Sequence, residues 1–173
     1  MPALGGSRIR RNGIQHLRLL AFMALVLVAV CARASSDDEV AALIAGGTAP
    51  EGIVFEIASW DGDALDWAVP AVRGYTARLR KRFPGLPVAV VTHGNEMFSL
   101  RSDARATRAS LHANVEKMVD RDGVPVHVCA TYAERRGTAL EAFPGYVNVA
   151  PSGPAQVRAY RDLGYTLVQV TRN

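Results

Sequence analysis

The sequence predicts an α/β sandwich of about five strands, mainly parallel, with helices on both faces. Three observations carry this. Strand-like and helix-like segments alternate from residue 53 to the end of the chain. Val88-Ala89-Val90-Val91-Thr92 is apolar on both faces, as a strand inside a parallel sheet must be. The helical stretches between strands are long enough for crossovers, which are right-handed almost without exception.

Each element follows from local chemistry. Ile53-Val54-Phe55-Glu56-Ile57 is a short β-rich run closed by Asp61-Gly62-Asp63. Over 63–82 the spacing of Leu65, Val69, Val72, Thr76 and Leu79 is helical. Pro70 either bends this helix or divides it, and Phe83-Pro84-Gly85 stops it. After the strand over 88–92, His93-Gly94-Asn95 turns the chain. A helical stretch broken near Ser102-Asp103 then sets Leu111, Val115, Met118 and Val119 on one face. Asp122-Gly123 closes it, and an apolar strand runs into Cys129. Thr131 and Glu134 have the spacing of a capping box for a short helix, with Gly137 as its stop. Residues 146–150 form another strand. Ser152 caps the next helix, which carries Pro154 in its first turn and ends at Gly164, and residues 165–170 form the last strand.

The first 34 residues read as a secretory signal peptide rather than part of the fold. Arg8, Arg10, Arg11 and Arg18 precede an apolar run over 19–30, and Ala32-Arg33-Ala34 is a small-x-small cleavage pattern. Twelve apolar residues fall short of the roughly 20 that span a bilayer. A periplasmic or secreted protein is expected, with acylation at Cys31 a minor alternative because Val30 is large for that processing. Residues 35–50 are expected to be a flexible leader and residues 51–173 a single domain.

Charge excludes one function class. Residues 1–34 hold five of the 20 basic residues and none of the 16 acidic ones, so the remainder stands at 15 against 16. A domain of net charge −1 lacks the basic surplus that nucleic-acid binding needs. The cluster Arg78-Leu79-Arg80-Lys81-Arg82 ends a helix, where cations are favoured in any case.

In an open parallel sheet the crevice at the carboxyl ends of the strands is the default site. Thr92-His93-Gly94-Asn95, Cys129-Ala130-Thr131 and Ala150-Pro151-Ser152-Gly153 all converge there. Cys129 is the candidate nucleophile, since a thiol facing a helix N-terminus is stabilised as an anion. His93 is a candidate base or donor. Gly94 and Gly153 permit close backbone approach, and Asn95, Thr131 and Ser152 offer polar groups for binding. His127 is expected to pack against a helix, and His112 to be solvated or half-buried. His-x-Cys at 127–129 supplies too few ligands for a metal site, so neither a metal nor a cofactor is expected. No Cys-x-x-Cys, phosphate-binding loop, dinucleotide glycine fingerprint or Gly-x-Ser-x-Gly elbow occurs.

These motifs resemble a known family. Val88-Ala89-Val90-Val91-Thr92-His93-Gly94, Gly123-Val124-Pro125-Val126-His127-Val128-Cys129, Arg135-Arg136-Gly137, Val149-Ala150-Pro151-Ser152-Gly153 and Leu163-Gly164-Tyr165 together are similar to the DsrE/DsrF-like sulfur-relay family. The resemblance implies a Rossmann-like three-layer sandwich that assembles into trimers or hexamers. It also implies that Cys129 accepts sulfane sulfur as a persulfide and passes it to a partner protein. Family relays act in the cytoplasm, whereas this chain carries an export signal. The competing expectation is an oligomeric small-ligand-binding or assembly module that keeps the fold without sulfur transfer.

Overall fold

The computed structural model describes residues 35–172, so the expected signal peptide and Cys31 lie outside the described residues. Five parallel strands form one sheet: β1 (Gly52–Ile57), β2 (Val88–Thr92), β3 (Val126–Cys129), β4 (Asn148–Ala150) and β5 (Tyr165–Gln169). Their spatial order is β4-β3-β2-β1-β5, every neighbouring pair parallel. The chain steps outward from β1 to β4, then crosses back to add β5 on the other side of β1.

Alternation along the strands divides the core. Ile53, Phe55 and Ile57 point into a large cluster with Val90, Val126 and Val128. Helices α2 (Ala64–Arg82) and α3 (Ala109–Asp120) fill that face with Leu65, Val69, Val72, Leu79, Leu111, Val115 and Met118. The short helix α4 (Ala130–Arg135) adds Ala133 to the same cluster. Val54 and Val91 point the other way, toward Val157 of α5 (Gly153–Asp162). Among the described residues the sheet is therefore thickly covered on one side, and on the other by one helix of ten residues.

Two expectations are corrected and one of two alternatives is removed. Residues 35–50 are not simply a leader, because Ser36–Gly46 is a helix, α1. Ser35 and Asp38 cap it reciprocally, Asp37, Asp38 and Glu39 suit the positive end of its dipole, and Gly47 ends it at φ 74°. Val40 is fully buried in the large core, and Ser36 exchanges hydrogen bonds with the Thr171 backbone. Pro70 does not divide α2, which runs unbroken from Ala64 to Arg82 with Pro70 exposed, its apolar face holding the helix against the sheet. His112 is not solvated but 1% exposed. One ring nitrogen bonds the Ser99 carbonyl (3.1 Å) and Nδ1 pairs with the Tyr146 hydroxyl (2.5 Å), tying α3 to two loops. The stretch before α3 is broken as expected, into 3₁₀ turns at Asn95–Leu100 and Ser102–Ala104.

On the thin face His127 packs against a helix as expected. Its Nε2 lies 2.8 Å from the Tyr160 hydroxyl of α5, the two rings edge to face. Burial pushes the His127 pKa below its ordinary value.

Two outcomes follow. Val40→Asp should lower the free energy of unfolding by at least about 2 kcal/mol, because α1 carries this side chain into the core. Urea titration measures this, and a loose leader would give no change. Because neutral His127 is favoured by folding, stability is full above the ordinary histidine range and falls as pH drops through it. His127→Gln, which can keep a bond to Tyr160, should flatten the dependence between about pH 7.5 and 5. An unchanged slope in thermal unfolding across that interval contradicts this.

Candidate functional site

The outgoing loops of β1, β2 and β3 lead to the thickly covered face, and that of β4 leads to α5 on the other. The reversal thus falls between β3 and β4, where Cys129 stands opposite Ala150. Such reversals open a crevice at the carboxyl ends of strands. Here Thr131 bridges it: its N–H (3.2 Å) and its hydroxyl (2.6 Å) both donate to the Pro151 carbonyl. The open space lies beside it, a cleft of about 270 Å³ lined by Ala58, Ser59, Trp60, His93, Gly94 and Tyr132.

Cys129 ends β3 and is itself the N-cap of α4, with extended backbone at φ −95° and ψ 111°. The expected capping box of Thr131 and Glu134 does not form. The helix follows the strand without a linker, so the last strand residue takes the capping role and Thr131 falls inside the first turn. The Cys129 Sγ accepts the N–H of Tyr132 at 3.4 Å. Gly137 stops the helix as expected, at φ 69°, its N–H donating to Glu134. The thiol is free and only 4% exposed.

His93 leaves the end of β2 and pairs with Glu56 of β1, Nε2 to Oε1 at 2.9 Å. Gln169 of β5 donates to the other Glu56 oxygen at 3.0 Å. The hydrogen bond from His93 holds the Glu56 carboxyl below its usual range, opposed in part by burial and helped by Gln169. Gly153 is packed directly on His93: a Cβ there would lie 2.4 Å from the His93 Cβ. Ser152 occupies the N-cap position of α5, but its side chain makes no capping hydrogen bond, which corrects the expected role.

Glu96 organises the rest. Its carboxylate is fully buried and accepts from the Thr92 hydroxyl (2.6 Å), the Gly94 N–H (2.8 Å) and the Ser59 N–H (2.7 Å). Gly94 has to be glycine, because a Cβ would come within 2.4 Å of both the Ser59 carbonyl and the Glu96 carboxylate. Asn95 completes the rim: its N–H donates to the Ser59 carbonyl, its side-chain amide to the Trp60 carbonyl, and its Oδ1 accepts from the Tyr132 hydroxyl at 2.6 Å.

Of the expected residues, His93 and Gly94 line the cleft and Asn95 braces its rim. Thr131 clamps the neighbouring loops, Gly153 seats His93, and Cys129 lies behind Tyr132. Sequence reasoning missed Glu56, Ser59, Trp60, Glu96, Tyr132 and Gln169. One signal was available: Glu56 is the sole ionisable residue in Ile53-Val54-Phe55-Glu56-Ile57. Among the described residues no group of three or more His, Cys, Asp or Glu side chains is placed to hold a metal ion.

No protein-family model matches the chain, and no curated protein does. Among solved structures it is similar to the protein of unknown function MTH1491 from Methanobacterium thermoautotrophicum, with a TM-score of 0.54 and 19% identity over 68% of this chain and 96% of that one. A second is the conserved protein of unknown function BT1422 from Bacteroides thetaiotaomicron, with a TM-score of 0.48 and 14% identity over 68% of this chain and 94% of that one. The parallel sheet between two helical layers, together with the first likeness, makes this a Rossmann-like α/β fold.

Proposed function

We propose that this protein is an exported sulfur carrier that accepts sulfane sulfur as a persulfide on Cys129. The observation that carries the reading is the seat of the thiol: it ends a strand at the sheet edge and accepts the Tyr132 N–H at the first turn of α4. That N–H gives a sulfur held on Cys129 a backbone hydrogen-bond partner. The resemblance to the DsrE/DsrF-like sulfur relays adds a donor and an acceptor protein and a homo-oligomer of three or six chains. The N-terminal pattern adds a periplasmic or secreted location.

The chemistry is a displacement at sulfur. The Cys129 thiolate attacks the outer sulfur of a donor R–S–SH, a new S–S bond forms on Cys129, and the old S–S bond breaks with its electron pair leaving on R–S⁻. An acceptor thiolate then attacks the outer sulfur of the Cys129 persulfide and regenerates the thiolate. Sulfane sulfur changes carrier, and no external oxidant or reductant is needed.

A second reading has its own support. Cys129 is 4% exposed, whereas His93, Gly94 and Tyr132 line an open cleft. A module that holds a small ligand there, without transfer, fits that division. Intact-mass spectrometry separates the two. After brief exposure to inorganic polysulfide, the wild-type protein should carry added sulfur that maps to Cys129 and is removed by a thiol reductant, while Cys129→Ser gains none. A thiol that is alkylated by iodoacetamide yet takes up no sulfur would leave the binding module as the better account.

A further inference from the structure

The lining of the 270 Å³ cleft is selective about what can occupy it. Two aromatic side chains, Trp60 and Tyr132, form its apolar surface. Tyr132 is fixed, because its hydroxyl donates to Asn95 Oδ1 at 2.6 Å and its ring packs on Phe98 with centroids 5.7 Å apart. Trp60 is 84% exposed, so most of its indole meets solvent at the rim. Among the described residues no lysine, arginine, aspartate or glutamate lines the cleft. Backbone groups of the wall are largely spent inside the protein. Glu96 takes the N–H groups of Ser59 and Gly94, and Asn95 binds the carbonyls of Ser59 and Trp60.

His93 supplies the open polar atom. Its side chain is 17% exposed and its Nε2 meets Glu56, itself 13% exposed, at 2.9 Å. Gln169 occupies the other carboxylate oxygen. Removing such a pair from water is costly, yet the pairing fixes the ring. An ionised carboxylate only accepts hydrogen bonds, so Nε2 carries the hydrogen and the neutral imidazole offers Nδ1 as an acceptor. A Cβ on Gly153 would meet His93 at Cβ, Cγ and Cδ2, so that edge of the ring lies against α5 and Nδ1 is on the opposite edge. Nδ1 has no hydrogen-bond partner among the described residues and is not one of their buried unpaired atoms, so it is open to the cleft.

We propose that the cleft binds a small neutral hydroxyaromatic molecule, its ring against Trp60 and Tyr132 and its hydroxyl donating to His93 Nδ1. This rests on the cleft as a small-ligand site and is independent of sulfur loading at Cys129. Aromatic side chains supply the apolar contact, and offset or edge contacts between rings favour a flat partner. The single open acceptor calls for a ligand with a donor. A wall without a cation, and a carboxylate behind the imidazole, disfavour an anion. The volume lies at the small end of ligand sites and suits a molecule of about one ring rather than a folded partner. Glu56 is a positioning residue, since it determines which ring nitrogen accepts.

The test titrates three one-ring probes into isotope-labelled protein made from the full-length chain, read by NMR. Phenol should shift the Trp60 indole N–H and the Gly94 and Tyr132 amides with a dissociation constant of about 1 mM. Anisole keeps the ring but has no donor, and should bind about tenfold more weakly. Benzoate, an anion, should also bind more weakly than phenol. His93→Phe should bring the ratio of phenol to anisole affinity to about one. Trp60→Ala removes a mostly exposed side chain, which leaves the core intact, and should weaken phenol and anisole by the same factor. Ratios taken within one preparation do not depend on how much of it is folded. Equal affinity of the wild-type protein for phenol and anisole, tighter binding of benzoate, or an unchanged ratio in His93→Phe overturns the donor assignment and leaves the cleft as a ligand site. No shift at the three reporter groups with any probe, at about ten times that concentration, overturns the ligand site as well.

Discussion

Glu96 is the constraint on which the site depends. A carboxylate fully removed from water is tolerable only when its lone pairs are taken, and Thr92, Gly94 and Ser59 take them. Those three donors belong to the end of β2 and to the loop after β1, so one side chain binds two otherwise independent segments. The backbone of Gly94 must pass so close to Ser59 that no side chain fits there. Once that contact is set, Asn95 reaches both the Trp60 carbonyl and the Tyr132 hydroxyl, and Tyr132 closes the cleft from the α4 side. The walls are thus held by polar bonds to a buried anion, while Trp60 on the rim stays 84% exposed.

Strand order explains why these polar side chains gather at this edge. The crossover from β4 to β5 changes faces, which among the described residues leaves α5 alone on its side and parts the loops beside Cys129. Thr131 closes that gap by binding Pro151, so the thiol sits in a sealed corner next to an open cleft rather than inside it. The Tyr132 N–H meets the sulfur while the Tyr132 ring faces the cleft, and His93 and Glu56 supply titratable groups one and two strands away.

Legibility in the sequence followed the range of the interactions. The five strands and the buried stripe of α2 were readable, because apolar periodicity reports on the face a residue presents. Cys129, His93 and Gly94 were readable because strand-to-turn transitions mark the carboxyl edge of a parallel sheet. What was not readable was pairing. His93 finds Glu56 across 37 residues and Asn95 finds Tyr132 across another 37, and no local spacing announces either bond. The capping box at Thr131 misled for the opposite reason: its spacing is correct, but Cys129 had already taken the cap. Residues 35–46 misled through polarity. Ser35 to Glu39 are polar because they form a capped, acidic first turn, and the anchors of that helix are the buried Val40 and the buried Ser36.

Amide hydrogen exchange on Glu96→Gln tests the central dependence most directly. The glutamine side chain presents an NH₂ group where one carboxylate oxygen accepted a donor, so part of the triple contact must open. The account predicts that the amides of Ser59 and Gly94 lose protection together while that of Val90, bonded to the Pro125 carbonyl within the sheet, keeps its own. Unchanged protection at Ser59 and Gly94 would contradict the claim that this buried carboxylate holds the site together.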